Sequence, residues 1–360
     1  MPLYEIITQS ARKALQHQAT NGSMPSGHNG PYHDPETPVR NTAHWLITFL
    51  KAYEITNKTK FYQAGERAVA YLQSPEVRPM NAAFWMRKNP EKDFCNGLIG
   101  QAWVIEALVE AAKTYEREDL LRLAEEIFLL HPYDQISGGW KTVNVDGSYG
   151  PLDSTFNHQL WFAAAGGLIT QTADSKIELE VQDFLDHLEN HLALYPTGLI
   201  RHKSIFFLAP SLARKTYNLV RSLNIDNSPA YMKMKSVGYH GFNLYGFALL
   251  KLAFPEHRFW SCKKIKHALA YAKSKKFTAA LLTSKYGFPY NPPGFEMPFA
   301  FKVFNDRNQQ DQVSWVNEQL RHSLDKETFL LTRNTEDPHT MSARIYEATR
   351  LDDCEIVIDY

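Results

Sequence analysis

Residues 39–56, "VRNTAHWLITFLKAYEIT", decide the fold. From Trp45 to Tyr53 the segment is nearly apolar all round, and a helix without a polar face is one enclosed by other elements. The segment after it, "KTKFYQAGERAVAYLQS" (58–74), differs: Phe61, Gly65, Ala68 and Leu72 keep one face apolar or small, while Lys60, Glu66 and Arg67 face elsewhere. That pattern is an amphipathic helix with one wet side. An enclosed helix followed by a half-wet one predicts an inner and an outer layer.

The pair recurs along the chain. "CNGLIGQAWVIEALVEAA" (95–112) precedes "EDLLRLAEEIFLL" (118–130), and "FNHQLWFAAAGGLI" (156–169) precedes "IELEVQDFLDHLENHL" (177–192). "GYHGFNLYGFALLKLAF" (238–254) precedes "SCKKIKHALAYAKS" (261–274), and "FEMPFAFKVF" (295–304) precedes "DQVSWVNEQLRHSL" (311–324). The last enclosed segment, "PHTMSARIYEATRL" (338–351), finds its partner in the N-terminal helix, which closes a ring. Six enclosed helices, starting near residues 40, 95, 156, 240, 296 and 339, predict an all-α (α/α)6 toroid formed by residues 1–360 as one domain. Their spacing is too uneven for tetratricopeptide or HEAT repeats, whose periods sit near about 34 and about 40–47 residues. Two irregularities fit loops at the mouth of the ring. "GGWKTVNVDGSYGPLD" (138–153) reads as a β-hairpin turning at Asp146-Gly147, and "FLAPSLARKTYNLVRS" (207–222) as an extra helical segment before a restart at Ser228-Pro229.

Composition bounds the function. The 360 residues are 44% hydrophobic and 22% charged, enough apolar content for one large core. Lysine plus arginine equals aspartate plus glutamate at 39 each, so no global field steers the chain toward nucleic acid or an anionic membrane. Three cysteines, Cys95, Cys262 and Cys354, lie far apart without CxxC or CxxH spacing, which argues against a disulfide framework and a structural zinc site. The N-terminal "MPLYEIITQSARKALQ" lacks the apolar stretch of a signal peptide, and no segment is apolar enough to span a bilayer. A cytoplasmic location is expected.

Polar residues collect where the enclosed helices begin: Arg40, Asn41 and His44; Asp93, Asn96 and Gln101; Asp153, Asn157, His158 and Gln159; Tyr239, His240, Asn243 and Tyr245; Glu296; Asp337, His339 and Arg344. Inner helices of a toroid run parallel, so these clusters converge on one funnel. Part of the pattern has a plainer origin. Thr37-Pro38 and Asp337-Pro338 read as an N-cap with proline at the first helical position, and Asp93 and Asp153 are placed to complement a helix dipole. Asn157 and His158, inside a first turn, are not needed for capping. "HNGPYHDPETPVRNTAHW" (28–45) holds His33, Asp34, Arg40 and His44 around the start of one inner helix, and all four are expected to face the funnel.

Other chemistries lack their signatures. No HExxH and no cysteine companion marks a metal site, no GxSxG elbow marks a serine nucleophile, and "SGHNGPY" lacks the strand and lysine of a phosphate loop. No metal and no cofactor is expected. Trp85, Trp140, Tyr149, Trp161, Tyr286 and Tyr290 lie in or beside predicted loops, where aromatic faces suit the CH face of a sugar ring.

"ETPVRNTAHWLITFLKAYEIT", "KDFCNGLIGQAWVIEAL", "STFNHQLWFAAAG" and "DPHTMSARIYEATRL" resemble the AglQ-type proteins of archaeal and bacterial glycan-assembly gene clusters, over residues 28–350. At the fold level that group looks like the (α/α)6 carbohydrate enzymes: the glucuronyl C5-epimerase catalytic domain, unsaturated glucuronyl hydrolases, N-acylglucosamine 2-epimerases and several polysaccharide lyases. The resemblance implies sugar chemistry on a saccharide or glycan, free, polymeric or lipid-linked. One fold hosts several reactions, so the residues must choose among them.

Abstracting the proton alpha to a uronate carboxylate needs donors on the carboxylate, a base on one ring face and, for inversion, an acid on the other. Arg40, Arg201 and Arg344 are candidates to hold the carboxylate, with Asn157 as a further donor; His158, His240, Tyr239, Tyr245 and Tyr290 are candidate bases and acids. Hydrolysis or elimination is the rival. Glycoside hydrolysis needs two carboxyl groups, for which Asp34, Glu36, Asp153 and Glu296 are available. C5-epimerisation is the first expectation, with Arg40 and Arg344 on the acidic group, His158 and His240 exchanging protons, and Asp34, Asn157 and Glu296 orienting hydroxyls. Trp140 and Tyr149 are expected to cover the ring, with His33, His44, Asn96, Asp153 and Tyr245 completing the binding set.

Overall fold

A computed structural model of the protein describes residues 1–170, 175–203, 228–305 and 309–357. Its helices are α1 (Leu3–Ala14), α2 (Val39–Thr56), α3 (Thr59–Leu72), α4 (Gly97–Tyr115), α5 (Glu118–Leu129), α6 (Phe156–Thr170) and α7 (Ser175–His191), then α8 (Pro229–Gly238), α9 (His240–Ala253), α10 (Lys263–Ala272), α11 (Lys275–Thr283), α12 (Pro293–Val303), α13 (Gln309–Ser323) and α14 (Pro338–Ala343). A 3-10 helix over Arg344–Arg350 continues α14.

The inner layer closes on itself. In succession α2, α4, α6, α9 and α12 pack side by side, and α14 with its 3-10 extension packs against both α12 and α2. The outer helices α3, α5, α7 and α13 each pack on the inner helix before them, α10 packs on α9, and α1 packs on α2 and the 3-10 helix. This is the (α/α)6 toroid. Burial follows the layers: α4 is buried from Gly97 to Val109, whereas α5 buries only Leu120, Ala124, Ile127 and Phe128. Thus the periodicity of each segment reports its layer.

Local chemistry sets the inner ends. At the close of α2, Asn57 takes a left-handed conformation (φ 53°) and its N–H bonds the Tyr53 carbonyl at 2.7 Å, a C-cap that asparagine tolerates. Asp337 caps α14 by accepting from Thr340 N at 3.1 Å. Asp93 Oδ1 accepts from Gly97 N at 2.8 Å, so it serves the start of α4. As expected for Thr37-Pro38, Val39 N donates to Thr37 Oγ1 at 3.4 Å and Pro38 takes helical angles (φ −65°, ψ −11°), while the Thr37 hydroxyl donates to the Met86 carbonyl at 3.3 Å.

The predicted hairpin is present as β2 (Gly139–Val143) and β3 (Tyr149–Leu152), with Gly147 at φ 83° in the turn. A short β1 (Tyr133–Asp134), not foreseen, pairs antiparallel with β2 in the register Tyr133 with Trp140. The predicted extra helical segment at 207–222 lies outside the described residues. Among the described residues no helix is long and apolar enough to cross a membrane.

Candidate active site

The starts of the inner helices open into one cavity of about 750 Å³. Its wall is assembled from the 29–34 loop, the segment feeding α4, the first turn of α6, residues 202–203, the α8–α9 junction, Tyr290 and Asn291 before α12, and Arg344. The floor is apolar, built from Ile99, Trp103 and Phe242. Parallel inner helices therefore do bring residues more than 300 positions apart into one cup.

His158 is the best-organised group in it. Its Nδ1 lies 2.8 Å from Asp153 Oδ2, and its side chain is partly open to the cavity. The same Asp153 oxygen accepts from Leu98 N at 3.2 Å, and Oδ1 accepts from Thr155 N at 3.0 Å. Burial alone would raise the Asp153 carboxyl, but His158 and these N–H donors outweigh it and hold its pKa below the usual carboxylate value. An ionised Asp153 fixes the proton on His158 Nδ1, which assigns Nε2 as the acceptor toward the cup. The pair depends on the chain beside it: Gly97 takes φ 57°, and a Cβ there would stand 2.5 Å from Asp153 Oδ2 and 2.7 Å from His158 Nδ1. Asn157 lines the cavity next to His158 with a buried Oδ1 that has no protein partner.

The charge around the cup is one-sided. Arg87, Lys92, Lys203, Lys235 and Arg344 line it, and Asp34 is the sole carboxylate among the described lining residues. Asp34 is buried and already held, with Oδ2 at 3.2 Å from Arg87 Nη1 and 3.1 Å from Lys92 Nζ. Arg87 also donates to Asn96 Oδ1 at 3.0 Å, which ties Asn96 into the rim. A tyrosine cluster forms another wall: Tyr32 and Tyr239 share a hydrogen bond of 2.7 Å between hydroxyls, and Tyr290 donates to Asn29 Oδ1 at 2.6 Å. Burial first, then neighbouring tyrosines, push the Tyr32 and Tyr239 hydroxyls well above their ordinary pKa. His202 packs against Tyr239 in a tilted arrangement with ring centroids 4.7 Å apart. Burial, followed by Lys235 and His158, drives its imidazole well below 6.5, so it stands neutral.

Of the residues named from sequence, Asp34, Asn96, Asn157, His158, Tyr239, Tyr290 and Arg344 line the cavity, and Asp153 stands directly behind His158. Others lie elsewhere. His240, expected to exchange protons, is fully buried away from the cup. Its Nδ1 accepts from Ile200 N at 3.3 Å and its Nε2 meets the Ala268 carbonyl at 3.1 Å, and burial lowers its pKa to about 4. His33 points outward, 70% exposed in its side chain, onto Glu336 at 3.0 Å, because φ 47° at this residue turns the chain. Arg40 sits beneath the cup, bonded to Glu36 (3.1 Å) and Asn29 (2.8 Å) with its guanidinium 4.2 Å over Trp103. His44 stacks on Tyr346 deeper still, and Tyr245 stacks on Trp161. Glu296 is fully buried behind Arg344, which it meets at 3.0 Å.

The hairpin aromatics do not cover the cup. Strand alternation turns Trp140 inward against Phe128, Phe162 and Phe184, with Nε1 on Glu180 at 3.2 Å, while Tyr149 is 72% exposed on the outer strand. Arg201 lies on the surface over the Tyr195 ring. Sequence reasoning missed Tyr32, Arg87, Lys92, His202, Lys203, Lys235 and Asn291. Most lie in the segments that precede an inner helix rather than in its first turn, so the polar and aromatic residues of those connecting segments are the signal for them.

No protein-family model matches the chain. Archaeal glycosylation protein Q of Haloferax volcanii is 46% identical over 368 residues, covering 99% of both chains. The chain belongs to the archaeal glycosylation protein Q family. This family member also resembles two solved structures, each over 97% of both chains at 14% identity: D-mannose isomerase, with a TM-score of 0.66, and cellobiose 2-epimerase from Spirochaeta thermophila, with a TM-score of 0.65. Those likenesses place the glycosylation protein Q fold among the (α/α)6 toroids.

Proposed function

We propose that residues 1–360 form one catalytic ring that modifies an anionic, uronate-bearing saccharide, inverting C5 after removing the proton alpha to the carboxylate. The observation that carries this reading is the Asp153–His158 pair turned into a cup whose described lining adds Lys203 and Lys235 to the Arg87–Asp34–Lys92 and Arg344–glutamate groups. His158 Nε2 takes the C5 proton, the electron pair delocalises into the carboxylate, and the lysine and arginine lining stabilises the charge that develops. The hydroxyl of Tyr290, two inner helices further round the ring, is a donor for the new C–H bond on the other face. Arg40 and Arg344, first assigned to the substrate carboxylate, are already committed to buried glutamates, so the role passes to the rim cations.

Hydrolysis fits less well, since it asks for two carboxyl groups across the bond, and Asp34 is neutralised by Arg87 and Lys92. A second reading, proton transfer at C2 of an aldose, draws on the names of the two fold neighbours and would use the same base. Three free cysteines, one of them buried, support a reducing compartment such as the cytoplasm. The test is incubation with uronate-containing glycans in deuterated water, followed by NMR. Deuterium at C5 of intact sugar supports the proposal; deuterium at C2, a new reducing end or a conjugated double bond replaces it with isomerisation, hydrolysis or elimination.

A further inference from the structure

Beneath the cup the ring is not a hydrocarbon plug. The 3-10 helix Arg344–Arg350 repeats every three residues, so Arg344, Glu347 and Arg350 stack on one face. Arg344 lines the cup, and Arg350 lines a second cavity of about 750 Å³ with Lys51, Glu54, Glu110 and Thr114, at the opposite ends of α2 and α4. Six residues at about 2 Å rise put roughly 12 Å between those two arginines. A seven-residue 3-10 run exceeds the usual three or four, and here it aligns a charge ladder that an α-helix would spread around its surface.

The ladder holds more carboxylates than cations. Glu296 and Glu347 share Arg344, at 3.0 and 2.5 Å; Glu106 and Glu110 share Arg350, at 2.8 and 3.3 Å; Glu36 meets Arg40 at 3.1 Å. Several polar atoms in this column have no protein partner although they are buried: Glu296 Oε2, Glu347 Oε2, Tyr346 Oη, Arg350 Nε and both ring nitrogens of His44. Buried polar atoms in such number are ordinarily satisfied by internal water, and surplus buried negative charge is relieved by binding protons.

We propose that this column is a proton store serving the cup, and that it exchanges protons with solvent through the cavity on the opposite face. Burial raises Glu296 well above its ordinary pKa and Glu347 to about 7, with Arg344 pulling both down. The groups that face Glu347 are Arg344 on its own helix, Glu296 from α12, Glu106 from α4 and Arg40 from α2. Tyr346 and Tyr245 complete its surroundings. The store carries protons only, so no oxidant or co-reactant enters: a carboxyl proton leaves toward the cup and water at the rear face replaces it. Its use in turnover rests on the epimerase reading, whereas the store itself does not.

The test is infrared spectroscopy of the full-length protein without substrate, following the protonated-carboxyl C=O band at pH 7 after transfer to deuterated water. Glu347→Gln should diminish the band. Thr114→Trp, a change at an exposed position that fills the rear cavity, should slow its deuterium shift several-fold, while Asn157→Trp, which narrows the cup, should leave the rate unchanged. A missing band, a rate insensitive to Thr114→Trp, or slowing only by Asn157→Trp overturns the proposal. Because no turnover is measured, an epimerase reading that fails leaves this record intact, and the reverse also holds.

Discussion

Replacing Gly97 by alanine should abolish the proposed turnover by moving the Asp153–His158 pair rather than by unfolding the ring. The backbone at Gly97 lies at φ 57°, a left-handed conformation that costs an L-residue about 1–2 kcal/mol. The new Cβ would stand 2.5 Å from Asp153 Oδ2 and 2.7 Å from His158 Nδ1, well inside ordinary contact, so the pair must shift by several tenths of an ångström to about 1 Å. A displacement of that size at a reacting group costs on the order of 100-fold in rate. Gly147→Ala is the matched control. It meets the same left-handed strain, at φ 83°, but its nearest neighbour is Ala82 Cβ at 3.7 Å, far from the cup. Chemical denaturation should show both variants losing a similar 1–2 kcal/mol or so, with deuterium incorporation into the sugar lost only in Gly97→Ala. If Gly97→Ala turns over within a few-fold of the parent, the pair is not the proton-abstracting group.

Other consequences separate position from chemistry. His158→Ala should abolish turnover and leave the melting temperature nearly unchanged, whereas His240→Ala should lower stability by about 2–4 kcal/mol through a lost buried ring and two unpaired backbone groups, with turnover kept in the folded fraction. His240 carries a pKa of about 4 in the folded chain against about 6.5 unfolded, so the folded state refuses a proton that the unfolded state accepts. Its contribution is intact above pH 6.5 and fades as pH falls toward 4, about 2 kcal/mol by pH 5. Urea unfolding at pH 7 and pH 5 should show that difference shrink in His240→Gln. Lys235→Met should weaken binding of anionic saccharides about tenfold and leave neutral ones unaffected, which calorimetry with paired uronate and neutral sugars would reveal.

The ring was legible in the sequence because enclosed and half-wet helices carry different periodicities, and the starts expected near 40, 95, 156, 240, 296 and 339 fall at Val39, Gly97, Phe156, His240, Pro293 and Pro338. The site was legible for residues in a first turn, as Asn157 and His158 are, and for a few just outside the helix ends, namely Asp34, Asn96, Tyr290 and Arg344. One turn deeper the same reasoning fails: His44, on α2, and Tyr245, on α9, are rotated or sunk into the ring's interior. His240 shows why position alone misleads, since it opens its helix yet points between layers to backbone groups of two other segments. Nor does sequence spacing reveal that both Arg40 and Arg344 are spent on internal carboxylates; the buried Glu36–Arg40 and Glu296–Arg344–Glu347 groups appear only when α2, α12 and the final 3-10 turn are brought together. Trp140 and Tyr149 follow the alternation of their strands, and no loop signal tells which side of a hairpin meets the core.

The most direct measurement is a crystal structure of the Tyr290→Phe protein, slowed at reprotonation, with a uronate-terminated oligosaccharide bound. The account predicts the uronate in the cup with C5 about 3–3.5 Å from His158 Nε2 and its carboxylate on the lysine and arginine rim. A saccharide bound elsewhere, or one whose anomeric carbon faces Asp34 while C5 lies out of reach of His158, contradicts it.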